Sequence, residues 1–214
     1  MKRFTDRREA GRRLAEALSG YEDREDVVVL GLPRGGVPVA FEVAKALRAP
    51  LDVFVVRKLG VPRNRELAMG AVASGGVRVL NEDVVRNMSI SDEAIERVTE
   101  KEREKLEERE ETYRGARPEV GLEGKTVLLV DDGLATGATM RAAVNALRER
   151  KPHKIVVAVP TAPSRTCSKF KEIVDEITCL TTPRPFFGVG GAYHDFSQTT
   201  NEEVRDYLQR GDAW

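Results

Sequence analysis

The residues best suited to chemistry lie in the stretch VLLVDDGLATGATM, Val127 to Met140. Four apolar residues lead into two adjacent carboxylates, Asp131 and Asp132, and then into a turn of small residues. In a parallel sheet, ligands gather at the carboxyl ends of strands, so a strand ending at Val130 would set both carboxylates on that rim. The turn that follows, Ala135, Thr136, Gly137, Ala138 and Thr139, has little side-chain bulk. Its backbone amides could approach an anion closely, its two hydroxyls add donors, and a helix starting there contributes a partial positive charge. Carboxylates accept hydrogen bonds from vicinal hydroxyls, whereas an amide-lined turn suits a phosphate. A pentose 5-phosphate combines the two needs. The competing explanation, aspartates that merely cap a helix, requires one carboxylate and no Thr-Gly-x-Thr turn.

A second loop, GLPRGGVPVA from Gly31 to Ala40, repeats the arrangement of apolar strand, turn and helix. Arg34 stands between Pro33 and the Gly35-Gly36 pair, where a guanidinium and exposed amides could meet another anion. An ordinary turn with a surface arginine would look the same in isolation. The triplet Gly124-Lys125-Thr126 suggests a nucleotide-hydrolysing P-loop, but position 119 is Glu119 and a strand follows the triplet, so the pattern fails in both composition and context.

The segments that must carry these loops alternate. Apolar runs at DVVVLGL, LDVFVVRKL, KTVLLVDD, KIVVAVP and DEITCLTTP read as strands, and VPVAFEVAKALRA, GATMRAAVNALRER and SRTCSKFKEIV read as helices between them. LAMGAVASGGVRVL places Gly75-Gly76 between two short runs, the pattern of an edge hairpin. Phe4, Ala10, Leu14 and Leu18 recur at helical spacing near the start. The order predicts an α/β fold: a mostly parallel central sheet with helices on both faces, in a single domain over residues 1–214. A highly charged segment, Ser89 to Gly115, reads as an inserted helical arm starting at Ser91, with only Ile95, Val98, Leu106 and Tyr113 as its apolar stripe. A contact between two copies could run along it, giving a homodimer, although full apolar heptads are lacking.

With 35 basic and 35 acidic residues the chain has no net charge, so broad nucleic-acid binding is not expected and any anion site must be local. No window approaches the roughly 20 apolar residues of a membrane span. Cys167 and Cys179 fit no metal spacing and read as ordinary thiols of a reduced, cytoplasmic protein.

Val127 to Thr139 closely resembles the signature of type I phosphoribosyltransferases, departing mildly at Ala138, where glycine is common. The resemblance implies that this segment binds phosphoribosyl pyrophosphate (PRPP), with Asp131 and Asp132 on the ribose hydroxyls and residues 135–139 on the 5-phosphate. It further implies that Arg34, Gly35 and Gly36 form the pyrophosphate loop, with a non-proline cis peptide near Arg34-Gly35. Arg57 and Lys58 would then reach the pyrophosphate, and Arg63 and Arg65 would lie on a mobile closing loop, unless these two form a plain solvated turn balanced by Glu66. Asp131, Asp132 and Lys58 become the catalytic candidates, with Mg²⁺ carried mainly on ligand oxygens and met by the two aspartates directly or through water.

The acceptor would be a nitrogen nucleophile received by a small hood over residues 182–214. Phe186, Phe187, Tyr193 and Phe196 could stack on a heterocycle there, with Asp195 or Gln198 reading its edges, or could anchor the segment to the sheet. FFGVGGAYHDF loosely resembles a stretch of the purine salvage branch in which a Phe stacks on the base and an Asp assists magnesium; Asp195 or His194 would hold that second place. His194 otherwise reads as a surface histidine. The charged arm is foreign to the familiar salvage enzymes. A regulatory relative that binds PRPP or a nucleotide and acts through RNA or DNA is the alternative function. A synthase acting on the sugar phosphate would need an ATP motif that the chain lacks.

Overall fold

The computed structural model describes residues 3–62 and 64–211, with only the backbone of Arg65 and Glu66. Five strands form one parallel sheet: β1 (Val27–Gly31), β2 (Leu51–Val53), β6 (Thr126–Val130), β7 (Lys154–Thr161) and β8 (Glu176–Thr181). Their spatial order is β2-β1-β6-β7-β8. β1 and β6 lie side by side, Gly31 opposite Val130, so the loops leaving both strands emerge at one rim. Three further strands, β3 (Val56–Val61), β4 (Asn64–Ala73) and β5 (Val77–Leu80), make a separate antiparallel sheet in that order.

The central strands read as unbroken apolar runs because both of their faces are covered. Val27, Val29, Leu128 and Val130 belong to one core cluster, whereas Val28, Leu30, Val127 and Leu129 belong to the other. The first cluster includes residues of α1 (Arg7–Ala17), α2 (Gly36–Leu47), α4 (Asp92–Arg114) and α7 (Asn201–Arg210). The second includes residues of α5 (Ala138–Glu149) and α6 (Ser164–Phe170). The short α3 (Glu82–Asn87) follows β5.

Two sequence expectations are corrected. LDVFVVRKL is two strands, not one. At Phe54 the chain still donates to Gly31 O, but Val55 already bonds to Ser74 in both directions, so the backbone changes sheets between them. Cys167 and Cys179 are joined in a disulfide between α6 and β8 rather than remaining thiols. Their Cα atoms are 6.7 Å apart because α6 packs back beside the next strand, a proximity that spacing alone does not reveal. Within the hood segment, residues Asn201–Arg210 form α7, whose Thr200 and Glu203 make reciprocal capping hydrogen bonds.

The charged segment forms the 23-residue α4, capped by the Ser91 side chain on Ala94 N. Ile95, Leu106 and Tyr113 are buried against the domain. Two ion pairs fix its position. Arg57 of β3 gives two hydrogen bonds to Glu102, and Arg114, at the far end of α4, meets Asp52 of β2 at 3.1 Å. Asp52 also accepts from Val53 N and Val120 N, so the buried carboxylate is well supplied with donors. Arg114→Ala would leave that charge without its guanidinium, and urea unfolding should show a loss of about 3–5 kcal/mol. An unchanged unfolding midpoint would show that Asp52 does not need Arg114.

Candidate functional site

The β1 and β6 loops meet at the shared rim. Leu32 N donates to Val130 O, which ties the start of the Pro33–Gly36 loop to the end of β6. The chain then passes through a cis Pro33-Arg34 bond, one bond before the expected position, and enters α2. Gly35 and Gly36 lie directly on the acid pair. A Cβ at Gly35 would stand 2.1 Å from Asp132 Oδ2, and one at Gly36 would stand 2.8 Å from Val130 O and 3.0 Å from Asp131 Oδ1. No larger side chain fits this approach without displacing a carboxylate or the β6 backbone. The glycines are therefore required by contact with Asp131 and Asp132.

The two carboxylates sit in different surroundings. Asp131 Oδ1 accepts from Asp132 N at 2.8 Å. Asp132 Oδ2 accepts from Arg7 Nε at 2.9 Å, and the Asp132 carbonyl accepts from the Tyr193 hydroxyl at 2.6 Å. Arg7 in turn donates to Ser197 O and lies 4.0 Å from the Phe196 ring centroid. Burial, followed by the neighbouring Asp132 charge, pushes Asp131 well above the usual carboxyl range. Burial also raises Asp132, but Arg7 opposes it. Burial raises the Tyr193 hydroxyl too, so it stays protonated and donates.

Beyond the acids, the turn opens outward. Ala135, Thr136, Ala138 and Thr139 are exposed, while Gly137 is buried at φ +76°. A Cβ on Gly137 would stand 2.6 Å from the Phe170 ring, so α6 packs under the turn. No side chain at Gly137 caps α5; Thr136 Oγ1 accepts from Ala138 N at 3.4 Å. Thr166 of α6 donates to Ala135 O. The result is an open helix start, supported from below, beside the acid pair.

Asp131, Asp132, Gly35, Gly36 and the start of α5 are thus brought together. Arg34 stays half-buried on the same loop. Arg57 turns toward α4 and is engaged by Glu102, whereas Lys58, the next residue along β3, is exposed. Tyr193 is buried, packed on Phe4 and stacked with Phe196, so its ring belongs to the hood's own packing. Asp195 is exposed and accepts from Ser197 N. Phe186 is half-buried and Phe187 is 84 % exposed. Arg63 lies outside the described residues, as do the side chains of Arg65 and Glu66. Among the described residues no cluster of three or more His, Cys, Asp or Glu side chains could hold a metal, and no helix is long and apolar enough to cross a membrane. Sequence reasoning missed Arg7, which lies 125 positions from its partner Asp132 and shares no local pattern with it.

The strand ends of the parallel sheet thus gather a carboxylate pair, a glycine loop and an open helix start at one rim. The chain belongs to the phosphoribosyl transferase domain family, whose pattern matches residues 2–195. It is 50% identical over 210 residues to Rv0571c of Mycobacterium tuberculosis strain H37Rv, a protein provisionally named a phosphoribosyl transferase, and equally to MT0597 of strain CDC 1551. That similarity covers 98% of this chain and 47% of each relative, so the chain spans about half their length. The crystal structure of TT1426 from Thermus thermophilus is similar at TM-score 0.87 and 45% identity, covering 97% of this chain and 98% of that one.

The Asp131 environment has a measurable consequence. A folded-state pKa above the unfolded value of about 3.9 means that the native state holds this proton more tightly. Its contribution to stability is therefore full below about pH 4 and is lost as pH rises through the folded value. Asp131→Asn removes this titration, so its stability relative to the parent should rise as pH increases above about 4 in urea unfolding. A difference independent of pH would show that Asp131 is not destabilised by its surroundings.

Proposed function

We propose that the protein transfers the 5-phosphoribosyl group of PRPP to a nitrogen nucleophile, releasing pyrophosphate. The observation that carries this reading is the contact of the Gly35-Gly36 loop with Asp131 and Asp132, beside the open start of α5. One rim then offers carboxylate oxygens for a diol, amides and hydroxyls for a 5-phosphate, and a loop with Arg34 for the phosphates at the other end. Asp131 faces the diol, while Arg7 holds Asp132 in place behind it.

In the reaction the bond from the anomeric carbon to pyrophosphate breaks, and the leaving oxygen takes the electron pair. The nitrogen lone pair forms the new bond, and the nitrogen's proton passes to solvent or to a nearby base. The transition state resembles an oxocarbenium ion, which needs the leaving group held, its negative charge spread and water excluded. The aspartates would fix the ribose, the start of α5 its phosphate, and Arg34 would meet the departing charge, with Lys58 of β3 as the further candidate cation.

The donor set fits Mg²⁺ only as an ion carried chiefly by substrate oxygens, since Asp131 and Asp132 are the carboxylates at the rim and no metal-binding cluster occurs among the described residues. When bound, it would neutralise charge on the pyrophosphate. The acceptor side of this reading is the hood, where exposed Phe187 offers a ring to a purine-like base and Asp195 an edge partner or a weak metal contact. A cytoplasmic role in nucleotide salvage belongs to the same reading, and the Cys167–Cys179 disulfide is the observation that weighs against that compartment.

The test is pyrophosphate release from PRPP with Mg²⁺ and a panel of bases, alongside PRPP binding by calorimetry. The parent protein should turn over at least one base. Asp131→Asn combined with Asp132→Asn should weaken PRPP at least about 100-fold, the loss of charge-assisted hydrogen bonds to two hydroxyls, while remaining folded. Intact affinity in the double variant would end the ribose assignment. PRPP binding without turnover of any base, together with salt-sensitive RNA or DNA binding, would favour a regulatory relative of the same fold instead.

A further inference from the structure

We infer that α4, which belongs to neither anion loop, supplies a pyrophosphate-binding residue, Arg109; this rests on the phosphoribosyl-transfer reading. A cavity of about 420 Å³ lies between the Pro33–Gly36 loop and α4. Pro33 and Arg34 line it from the loop, Arg109, Thr112 and Tyr113 from α4, and Asn201 from the start of α7. Arg109, Thr112 and Tyr113 stand at i, i+3 and i+4, so they share one helix face. Tyr113 is buried, which roots that face against the domain.

The charge pattern of the cavity is one-sided. Its lining residues include two arginines and no acidic residue. Elsewhere, Arg57, Arg78, Arg114, Arg148 and Arg150 each meet an acidic side chain. Neither Arg34 nor Arg109 has a hydrogen-bond or ion-pair partner for its guanidinium among the described residues. Two unpaired guanidiniums facing one space repel each other unless an anion lies between them. A diphosphate suits such a pair, because each planar guanidinium can hold two oxygens of one phosphoryl group.

The placement of Arg109 is fixed on both sides. Glu102 is gripped by Arg57 one two-turn interval before it, and Arg114 is locked to Asp52 five residues after it. α4 therefore draws Arg57 away from the anion loops and presents Arg109 beside Arg34. A specific diphosphate site results from an exchange of one arginine for another, made by the helix that accepts the first.

Inorganic pyrophosphate and ribose 5-phosphate, titrated separately by calorimetry into the full chain, provide the test. Arg109→Ala should weaken pyrophosphate about tenfold or more, the loss of one charge-assisted contact, and leave ribose 5-phosphate unchanged. Because Arg109 is exposed and unpaired, the thermal midpoint should not move, and Arg109→Lys should recover only part of the affinity, since an ammonium cannot bind bidentately. Wild-type pyrophosphate affinity in Arg109→Ala, alongside a loss in Arg34→Ala, would overturn the inference and leave the phosphoribosyl-transfer reading standing. Equal weakening of both ligands would also overturn it, as a general charge effect. A parent protein that binds neither pyrophosphate nor PRPP would overturn both.

Discussion

The rest of the site depends on how closely the loop after β1 approaches the two acids after β6. Parallel neighbours in a sheet end at the same height, so their outgoing loops compete for one space. Here the competition is resolved by removing side chains from one loop and placing carboxylates on the other. With Gly35 and Gly36 lying against Asp132 and Asp131, the loop cannot move outward without opening the rim, nor inward without displacing a carboxylate. Everything an elongated ligand would meet is set by that contact, including the distance from acid pair to Arg34.

Two adjacent, largely buried carboxylates disfavour each other's charge, and the fold handles this through Arg7. The α1 residue reaches Asp132 and stacks on Phe196, while Tyr193 holds the Asp132 carbonyl. Residues from the chain's start and from its hood thus converge on one acid, whereas the other accepts from the Asp132 backbone amide. Phe4 and Tyr193 serve the same closure, packing together and pairing as an isolated bridge. The hood's aromatic residues accordingly divide their work: Tyr193 and Phe196 support the acid pair, and among the described residues of the hood Phe187 is the strongly exposed aromatic.

Much of this was legible because it is local. An apolar run covered on both faces, ended by acids and a small-residue turn, states its own position in a parallel sheet, and the glycines before α2 do the same for the second loop. What could not be read depends on contacts between distant segments. Nothing in LDVFVVRKL announces that Val55 will bond to Ser74 and leave the main sheet. Cys167 and Cys179 come together only because α6 folds back on β8. α7 has a local start signal in the Thr200 and Glu203 capping pair.

The balance of 35 cations and 35 anions has a local counterpart that gives the net charge its meaning. A chain with no overall field can still bind a highly charged ligand if it leaves selected cations unpaired and neutralises the rest. α4 illustrates the principle, because it carries both kinds of group at short intervals. Glu102 holds Arg57 and Lys105, Glu110 and Asp52 hold Arg114, and Arg109 between them meets no acid among the described residues. α4 is held to the domain by a narrow apolar stripe, Ile95, Leu106 and Tyr113, together with these ion pairs. The ion pairs add single partners at defined bearings to that stripe, which fixes the rotation of the helix about its axis. With the rotation fixed, the side of α4 facing the Pro33–Gly36 loop is fixed as well, and a charged helix becomes part of the rim.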